Sequence, residues 1–319
     1  MHLLVESQFF STMKKKKKVQ IIAPASTANL GPGFDCLGLG LGLYHTLNVC
    51  EGDGAGLEIR ASGEGAETVS LDSGNMVYQA MMKVFSSAGY KPGKLLIESH
   101  NEIPLASGLG SSAAAQVVGL SAAMLLSEQS LDRRRLIRMG VEMEGHADNV
   151  VACVLGGLTV VGSSGEKIDY VRLEPPESLG IVAVVPDFNL STERARSVLP
   201  REVAFRDAVH NQSRVGLLVA ALAGNRLESL RPAMEDVLHQ PYRAGLIPGL
   251  EDVRQAALEA GALGAALSGA GPTILALVSA HKTSVGEAMK GAWARRGVES
   301  RSLALQVDMT GLKAEMEGR

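Results

Sequence analysis

Residues Pro104 to Ala115 read PLASGLGSSAAA: a turn that needs glycine at Gly108 and Gly110, two hydroxyls at Ser111 and Ser112, then a helix former running from Ala113 to Leu126. A serine at a helix start caps the free N–H groups of the first turn. Those groups and the positive end of the helix dipole make a site for an anion, most often a phosphate. Glycine lets the backbone approach that anion with no Cβ in the way. A capped helix after a turn is the plainer account, but the glycine density favours a phosphate loop. Two better-known loops are excluded. The lysine-bearing loop of the nucleoside triphosphatases needs a lysine after its last glycine, and none follows Gly110. Gly108-x-Gly110-x-x-Ala113 matches the loose dinucleotide fingerprint. That fingerprint, however, must follow a strand directly and lead to a second strand ending in an acid. Here Asn101-Glu102-Ile103-Pro104 precedes it and the polar SEQSLDRRR follows the helix.

Working outward, 319 residues can bury a large core and make two domains. A net charge of -3 and a pI near 6.2 lack the basic footprint of a nucleic-acid binder. Aromatic residues at 4% leave little for base stacking. Cys36, Cys50 and Cys153 form no C-x-x-C pair, which excludes a thiolate zinc site and fits a reducing, cytoplasmic setting. The opening MHLLVESQFFSTMKKKKK places its lysines after short apolar patches, the reverse of a secretory signal. It reads as a flexible leader over residues 1–18, with a solvated lysine run from Lys14 to Lys18 and Met13 as an alternative start. The uncharged stretch Gly261 to Ala280 has the length of a membrane span. Its glycines, Pro272 and the strand-like Thr273 to Val278 read instead as a helix end, a glycine loop and a buried strand. Neither a membrane nor a nucleic acid is expected as partner. The oligomeric state stays open, a homodimer included.

Hydrophobic periodicity predicts strands at Val19–Ile22, Leu37–Leu43, Leu47–Cys50, Leu95–Ser99, Leu158–Val161 and Ile181–Val185, with Ser300–Val307 closing the chain. It predicts helices at Asn75–Ser87 and Leu131–Leu155, the latter broken near Gly145. Further helices are expected at Ser191–Leu199, Glu202–Leu222, Arg226–Met234, Leu250–Ala260 and Ser284–Arg296. Pro175-Pro176 marks a junction between domains at 19–175 and 176–319. Without steady alternation of strand and helix, the class is α+β rather than a doubly wound sheet. Glu144 and Asp148 share one helix face if the helix runs through Gly145, and like charges there repel unless a cation lies near. A solvated surface is the alternative.

Two more glycine blocks flank the central one: PASTANLGPGFDCLG at Pro24–Gly38 and LSGAGPTILAL at Leu267–Leu277. The three, in this order, resemble the galactokinase–homoserine kinase–mevalonate kinase (GHMP) superfamily, over nearly the whole chain from Val19 onward. Within it, Ser26-Thr27-Ala28-Asn29-Leu30, GHADN (Gly145–Asn149), STERAR (Ser191–Arg196) and PYRAGLIPG (Pro241–Gly249) resemble homoserine kinases. Val151-Ala152 departs from the Ala-Pro usual in that family, and the lysine-rich leader has no counterpart.

The resemblance implies a two-domain GHMP kinase fold: an N-terminal ATP-binding domain with a left-handed βαβ unit and a ferredoxin-like C-terminal domain. It implies ATP-dependent phosphorylation of L-homoserine to O-phospho-L-homoserine, with ATP and Mg²⁺ as cofactors. Pro104, Leu105, Ala106, Ser107, Gly108, Leu109, Gly110, Ser111, Ser112, Ala113 and Ala114 would hold the nucleotide. Glu144 would hold Mg²⁺ with Ser111 or Ser112, since Mg²⁺ takes one or two protein oxygens and fills its octahedron with water and phosphate. Homoserine is a zwitterion with a hydroxyl, so its site needs an acid, a carboxylate-binding cation and a hydroxyl-orienting group. Arg196 and Arg243 would hold the carboxylate, since a guanidinium fork donates two parallel bonds, with Thr192 and Gly269 beside them. Asn29 and Asp35 would hold the amino end, with Asp148 lining the pocket. Phosphoryl transfer through a loose transition state needs alignment more than a strong base. The resemblance gives that work to Asn149, which would orient the acceptor hydroxyl, with Asp148 beside it; His146 is the alternative base. A mevalonate-type kinase and a catalytically silent amino-acid sensor on the same fold are the rival readings.

Overall fold

The structure, a computed structural model, describes residues 17–164, 167–279 and 282–317. Most of the expected leader, residues 1–16, lies outside them. Lys17 and Lys18, placed in that leader by the sequence reading, instead open the first strand. Lys17 donates to the Leu126 carbonyl at 2.7 Å and pairs with Glu128 at 2.9 Å.

The chain begins with β1 (Lys17–Asn29) and β2 (Gly33–Gly52), an antiparallel ribbon closed by a tight turn, then β3 (Leu57–Gly63). Next come α1 (Met76–Ala88), β4 (Lys94–Asn101), α2 (Ser111–Leu126), α3 (Arg133–Glu144) and α4 (Asp148–Leu155). Strands β5 (Leu158–Ser164) and β6 (Lys167–Leu173) complete the first stretch. The long β2 explains the Leu–Gly alternation of the sequence. Leu37, Leu39 and Leu41 are fully buried in the core, while Gly38 turns to α4, where a Cβ would lie 2.4 Å from the Asp148 carbonyl oxygen. Strands β3 and β4 pair in parallel with α1 between them, which is the βαβ unit.

Across Pro175-Pro176 the chain leaves this sheet for β7 (Gly180–Pro186), α5 (Thr192–Ser197), α6 (Phe205–Ala223), α7 (Leu230–Ala233), α8 (Gln240–Arg243) and α9 (Leu250–Glu259). β8 (Gly264–Leu267), β9 (Ile274–Val278), α10 (Lys282–Ala294) and β10 (Ser300–Gln306) follow. These four strands form an antiparallel sheet ordered β10-β7-β9-β8. Numbered within the unit that is 4-1-3-2, the ferredoxin-like order of a βαββαβ chain. Strand β7 is buried along its whole length because it feeds two cores. Ile181, Ala183 and Val185 join the larger cluster with the first sheet, and Val182 and Val184 join the smaller one under α9 and α10, around Trp293.

Several expectations need correction. The apolar stretch from Gly261 holds two strands, β8 and β9, rather than one, and Ser300–Val307 does not close the chain. A last strand, β11 (Lys313–Glu317), returns to the first sheet and pairs with β1, so the terminal residues belong with that sheet and not with the 176–319 unit. Arg226–Met234 breaks into a short 3₁₀ turn and α7.

The three glycine blocks meet where the two sheets adjoin. The Ser26 N–H donates to the Leu109 carbonyl, Gly269 N–H to Ala28, and Thr273 N–H to Ser107, each at 3.1 Å. The Ser268 hydroxyl bonds the Gly108 carbonyl at 2.7 Å and the Thr27 hydroxyl at 2.8 Å. A Cβ on Gly108, at φ +84°, would stand 2.2 Å from the Ser268 carbonyl oxygen. Gly108→Ala is therefore expected to cost roughly 2–5 kcal/mol, from left-handed strain plus overpacking. Gly162→Ala, whose Cβ meets nothing within 4 Å, should cost under about 1 kcal/mol. Urea unfolding of the two variants checks this, and equal midpoints would show that the junction is not tightly packed.

Candidate active site

One cavity opens at this junction. Of the residues singled out from sequence, it is lined by Asn29, Asp35, Ala106, Ser107, Gly108, Gly110, Ser111, Ser112, Glu144, His146, Asp148, Asn149, Thr192, Arg196, Arg243 and Gly269. Five others are elsewhere. Leu109, Ala113 and Ala114 are fully buried in the core. Leu105 lines neighbouring cavities, and Pro104 lies away from this one.

At one end is the start of α2. Its N-cap is Gly110 in the left-handed region, and no side chain caps the helix, so Ser111 and Ser112 are its first helical residues rather than its caps. The first-turn N–H groups are left to an incoming ligand. A Cβ on Gly110, at φ +73°, would stand 2.2 Å from the Ser26 hydroxyl, so both the left-handed backbone and the contact with β1 call for glycine here.

Beside that helix start lies Glu144. The helix does break at Gly145, which caps α3 in the left-handed region, so Glu144 ends α3 and Asp148 begins α4. The two carboxylates are linked through His146, whose Nδ1 is 2.9 Å from Asp148 Oδ1 and whose Nε2 is 3.8 Å from Glu144 Oε1. The Ser112 hydroxyl donates to Glu144 Oε2 at 2.8 Å, and Gln116 Nε2 donates to the same oxygen at 2.8 Å. Asp148, 2% exposed, also accepts the Asn149 backbone N–H at 2.7 Å. The buried Ser26 hydroxyl donates to Asn149 Oδ1 at 3.0 Å, which fixes the amide's orientation.

At the far end stand the two arginines, and they differ. Arg196 on α5 makes a two-pronged pair with Asp35, Nη1 to Oδ2 at 3.0 Å and Nη2 to Oδ1 at 2.7 Å, which raises its pKa. Arg243, 1% exposed, has only neutral acceptors. Its Nε donates to the Ala195 carbonyl at 3.1 Å, and Nη1 to the Gly269 carbonyl at 3.0 Å and to His239 Nδ1 at 3.1 Å. Burial and then the neighbouring Arg196 pull its pKa down to about 10. His239 in turn reaches the Gly31 carbonyl at 2.7 Å, so the neutral ring donates from Nε2 and accepts at Nδ1. Burial outweighs Asp236 and keeps its pKa low, consistent with that neutral state. The Phe34 ring lies 5.4 Å from each guanidinium carbon. Asn29 Nδ2 donates to the Gly269 carbonyl at 2.9 Å and its Oδ1 accepts the Asp35 N–H at 3.0 Å.

Sequence reasoning missed four features: Phe34, His239, Gln116 and a second, mostly apolar cavity. That cavity shares Ser111 and Ser112 with the first and is lined by Val69, Met76, Val77 and Leu105. Phe34 lay inside a quoted block. The apolar cavity had no signal, because its lining comes from three separate segments.

Two family models match the chain: GHMP kinases N terminal domain over residues 75–157, and GHMP kinases C terminal over residues 218–296. A homoserine kinase of Deinococcus radiodurans is 49% identical, over 79% of this chain and 82% of its own length. A homoserine kinase of Microchaete diplosiphon is 42% identical, over 96% of this chain and 100% of its own. The chain belongs to the homoserine kinase family. A solved family member, homoserine kinase from Cytophaga hutchinsonii, matches the fold with a TM-score of 0.85 at 32% identity, covering 97% of this chain and 100% of that one. The two-domain GHMP fold and ATP-dependent kinase activity follow from that membership.

His146 gives a pH-dependent test of this end of the site. Burial lowers its pKa, but Asp148 and then Glu144 outweigh that and leave it raised above 6.5. A raised histidine adds stability that is full below its ordinary value and is lost as pH rises through the folded value. Without divalent cation, His146→Gln should melt below the wild type at pH 5.5, and the gap should close by pH 8.5. An equal gap at both pH values would mean that the charge on His146 does not matter.

Proposed function

We infer that this chain transfers the γ-phosphoryl group of ATP to the hydroxyl of L-homoserine, giving O-phospho-L-homoserine for threonine synthesis. The observation that carries the reading is a single cavity with an uncapped helix start at one end and a carboxylate with two guanidinium groups at the other. The first end suits phosphates, the second a zwitterion. A mevalonate-type acceptor has no ammonium for Asp35 to meet, and a silent sensor has no use for Glu144 beside a phosphate site.

The residue roles follow from position. The loop from Ser107 to Ser112 and the first turn of α2 take the phosphates, and the adjoining apolar cavity accommodates the base. Asn29 and Asp35 face the ammonium group. Arg196 and Arg243 face the carboxylate, with Thr192 and Gly269 beside them. Asn149 orients the acceptor hydroxyl through Nδ2, since its Oδ1 is taken by Ser26. Asp148 Oδ1 already accepts from His146 and Asn149, so it holds those two in place rather than waiting as a free base. His146, pinned to the same carboxylate, is no better placed to act as one. Alignment and charge stabilisation therefore carry the reaction.

The residues also fit Mg²⁺. Glu144 and the Ser112 hydroxyl already touch at the helix start, and one or two protein oxygens are what Mg²⁺ takes in nucleotide sites. The hydrogen bond between Ser112 and Glu144 supports Ser112 as the serine that would join it on the metal. Bound there, the ion would neutralise charge on the phosphate oxygens. A cytoplasmic setting is supported by the sparse, scattered cysteines. The proposed domains are 19–175 and 176–319, with Lys17 and Lys18 joining the first through β1 and β11 returning to its sheet.

A coupled ADP-release assay with homoserine and mevalonate tests the reaction, and turnover of mevalonate alone would refute it. Glu144→Gln should lower kcat strongly and raise the Mg²⁺ concentration for half-activity, while homoserine KM moves little. Normal turnover at limiting Mg²⁺ would remove the metal assignment. Arg243→Lys should cost about 1.5–3 kcal/mol, roughly ten- to a hundredfold in kcat/KM for homoserine, with ATP KM unchanged. An equal loss with homoserine methyl ester would place the arginine away from the carboxylate.

A further inference from the structure

The Asp35–Arg196 pair joins the two groups that a zwitterion needs, and each neutralises the other. Asp35 belongs to β2 and Arg196 to α5, so the pair also bridges the two halves of the cleft. Both side chains are 37% exposed, so the pair is open to exchange from the cavity that both line. Arg243 differs in kind, as a buried cation whose acceptors are all neutral.

We propose that homoserine enters by double exchange: its carboxylate replaces Asp35 on Arg196, and its ammonium replaces Arg196 on Asp35. The inference rests on the substrate site described above and adds a specificity rule to it. An α-amino acid opens the pair and leaves neither member without a counter-charge. A ligand with only one of the two charges opens the same pair and strands the other member. The closed pair therefore competes with any ligand that cannot satisfy both ends, and the site selects zwitterions beyond what its separate contacts would give. Arg243 stays fixed throughout and gives the incoming carboxylate a cation that needs no exchange.

The rule has an outcome that simple contact counting lacks. Removing the competing partner should improve binding of the matching one-charge ligand. Asp35→Asn keeps the shape and suits the left-handed backbone at this position, where φ is +56°. It should weaken homoserine at least tenfold, because the ammonium loses its carboxylate. The same variant should bind 4-hydroxybutanoate, which lacks the amine, roughly two- to fivefold more tightly than the wild type, the scale of an exposed bidentate pair. Arg196→Gln should likewise gain affinity for 3-aminopropan-1-ol, which lacks the carboxylate. Titration calorimetry with the two analogues, with ATP affinity as the folding control, gives the answer. If Asp35→Asn weakens homoserine but leaves 4-hydroxybutanoate unchanged or weaker, the exchange is wrong and the site stands. If homoserine binding does not change, the site assignment itself fails.

Discussion

The contact on which the rest depends is the meeting of three backbone segments, around residues 26–29, 107–110 and 267–273. The second and third are glycine-rich, and each of the three donates or accepts a backbone hydrogen bond with another. Close approach of main chains is possible only where a side chain is missing, as at Gly108 and Gly110. The junction orders the active site in two ways. It aims the start of α2, with its unpaired N–H groups, into the cavity. It also places the turn that carries Asn29 and Asp35 against the loop carrying Gly269, so that phosphate end and zwitterion end face each other. The glycines that read as phosphate-cradling in the sequence serve first to bring these segments together. The phosphate site proposed at the start of α2 would then be a consequence of that packing.

Much of this was legible from sequence. The three blocks identified the superfamily, and the smaller segments around GHADN, STERAR and PYRAGLIPG placed the residues that line the cavity. The missing pieces share a cause. β11 is a short polar-alternating strand, Lys313–Glu317, whose pairing with β1 spans almost the whole chain, and nothing local announces such a partner. Likewise β3 and β6 alternate only partly buried with exposed residues at sheet edges, where hydrophobic periodicity is weak. His239 lacked a signal because its role depends on Gly31 and Arg243, one remote in sequence and the other four residues away. Glu144 and Asp148 looked like one helix face until Gly145, at φ +84°, separated them into the end of one helix and the start of the next.

That separation has an electrostatic consequence. On a continuous helix the two carboxylates would repel at fixed spacing. Here Asp148 sits at the positive start of α4, where the helix dipole and the Asn149 N–H stabilise a buried charge. Glu144 closes α3 and turns to Ser112 and Gln116 at the start of α2. Among the described residues, the carboxylate beside the start of α2 is therefore held by neutral donors and by His146 at 3.8 Å, while the deeper one accepts from His146 and from the Asn149 N–H. On the metal site proposed above, a divalent cation would meet the carboxylate whose partners are neutral and easiest to displace.

The zwitterion end follows the same logic with the signs reversed. Arg196 is neutralised by Asp35, and Arg243 is surrounded by carbonyls and a neutral imidazole. A buried guanidinium whose hydrogen-bond acceptors, among the described residues, are all neutral has carboxylates near it but none in direct contact, so it gains from an anionic ligand. His239 matters because only its neutral form both accepts from Arg243 and donates to Gly31. A protonated ring would turn a donor against the guanidinium. Thus burial, which keeps that imidazole neutral, also keeps Arg243 aimed, and ties its aim to the turn that carries Asn29 and Asp35. Between these two ends Asn149, which also lines the cavity, has its Oδ1 fixed by Ser26 and its Nδ2 within 3.5 Å of Asp148 Oδ1, so its amide is held in one orientation, and alignment is what the proposed reaction needs most.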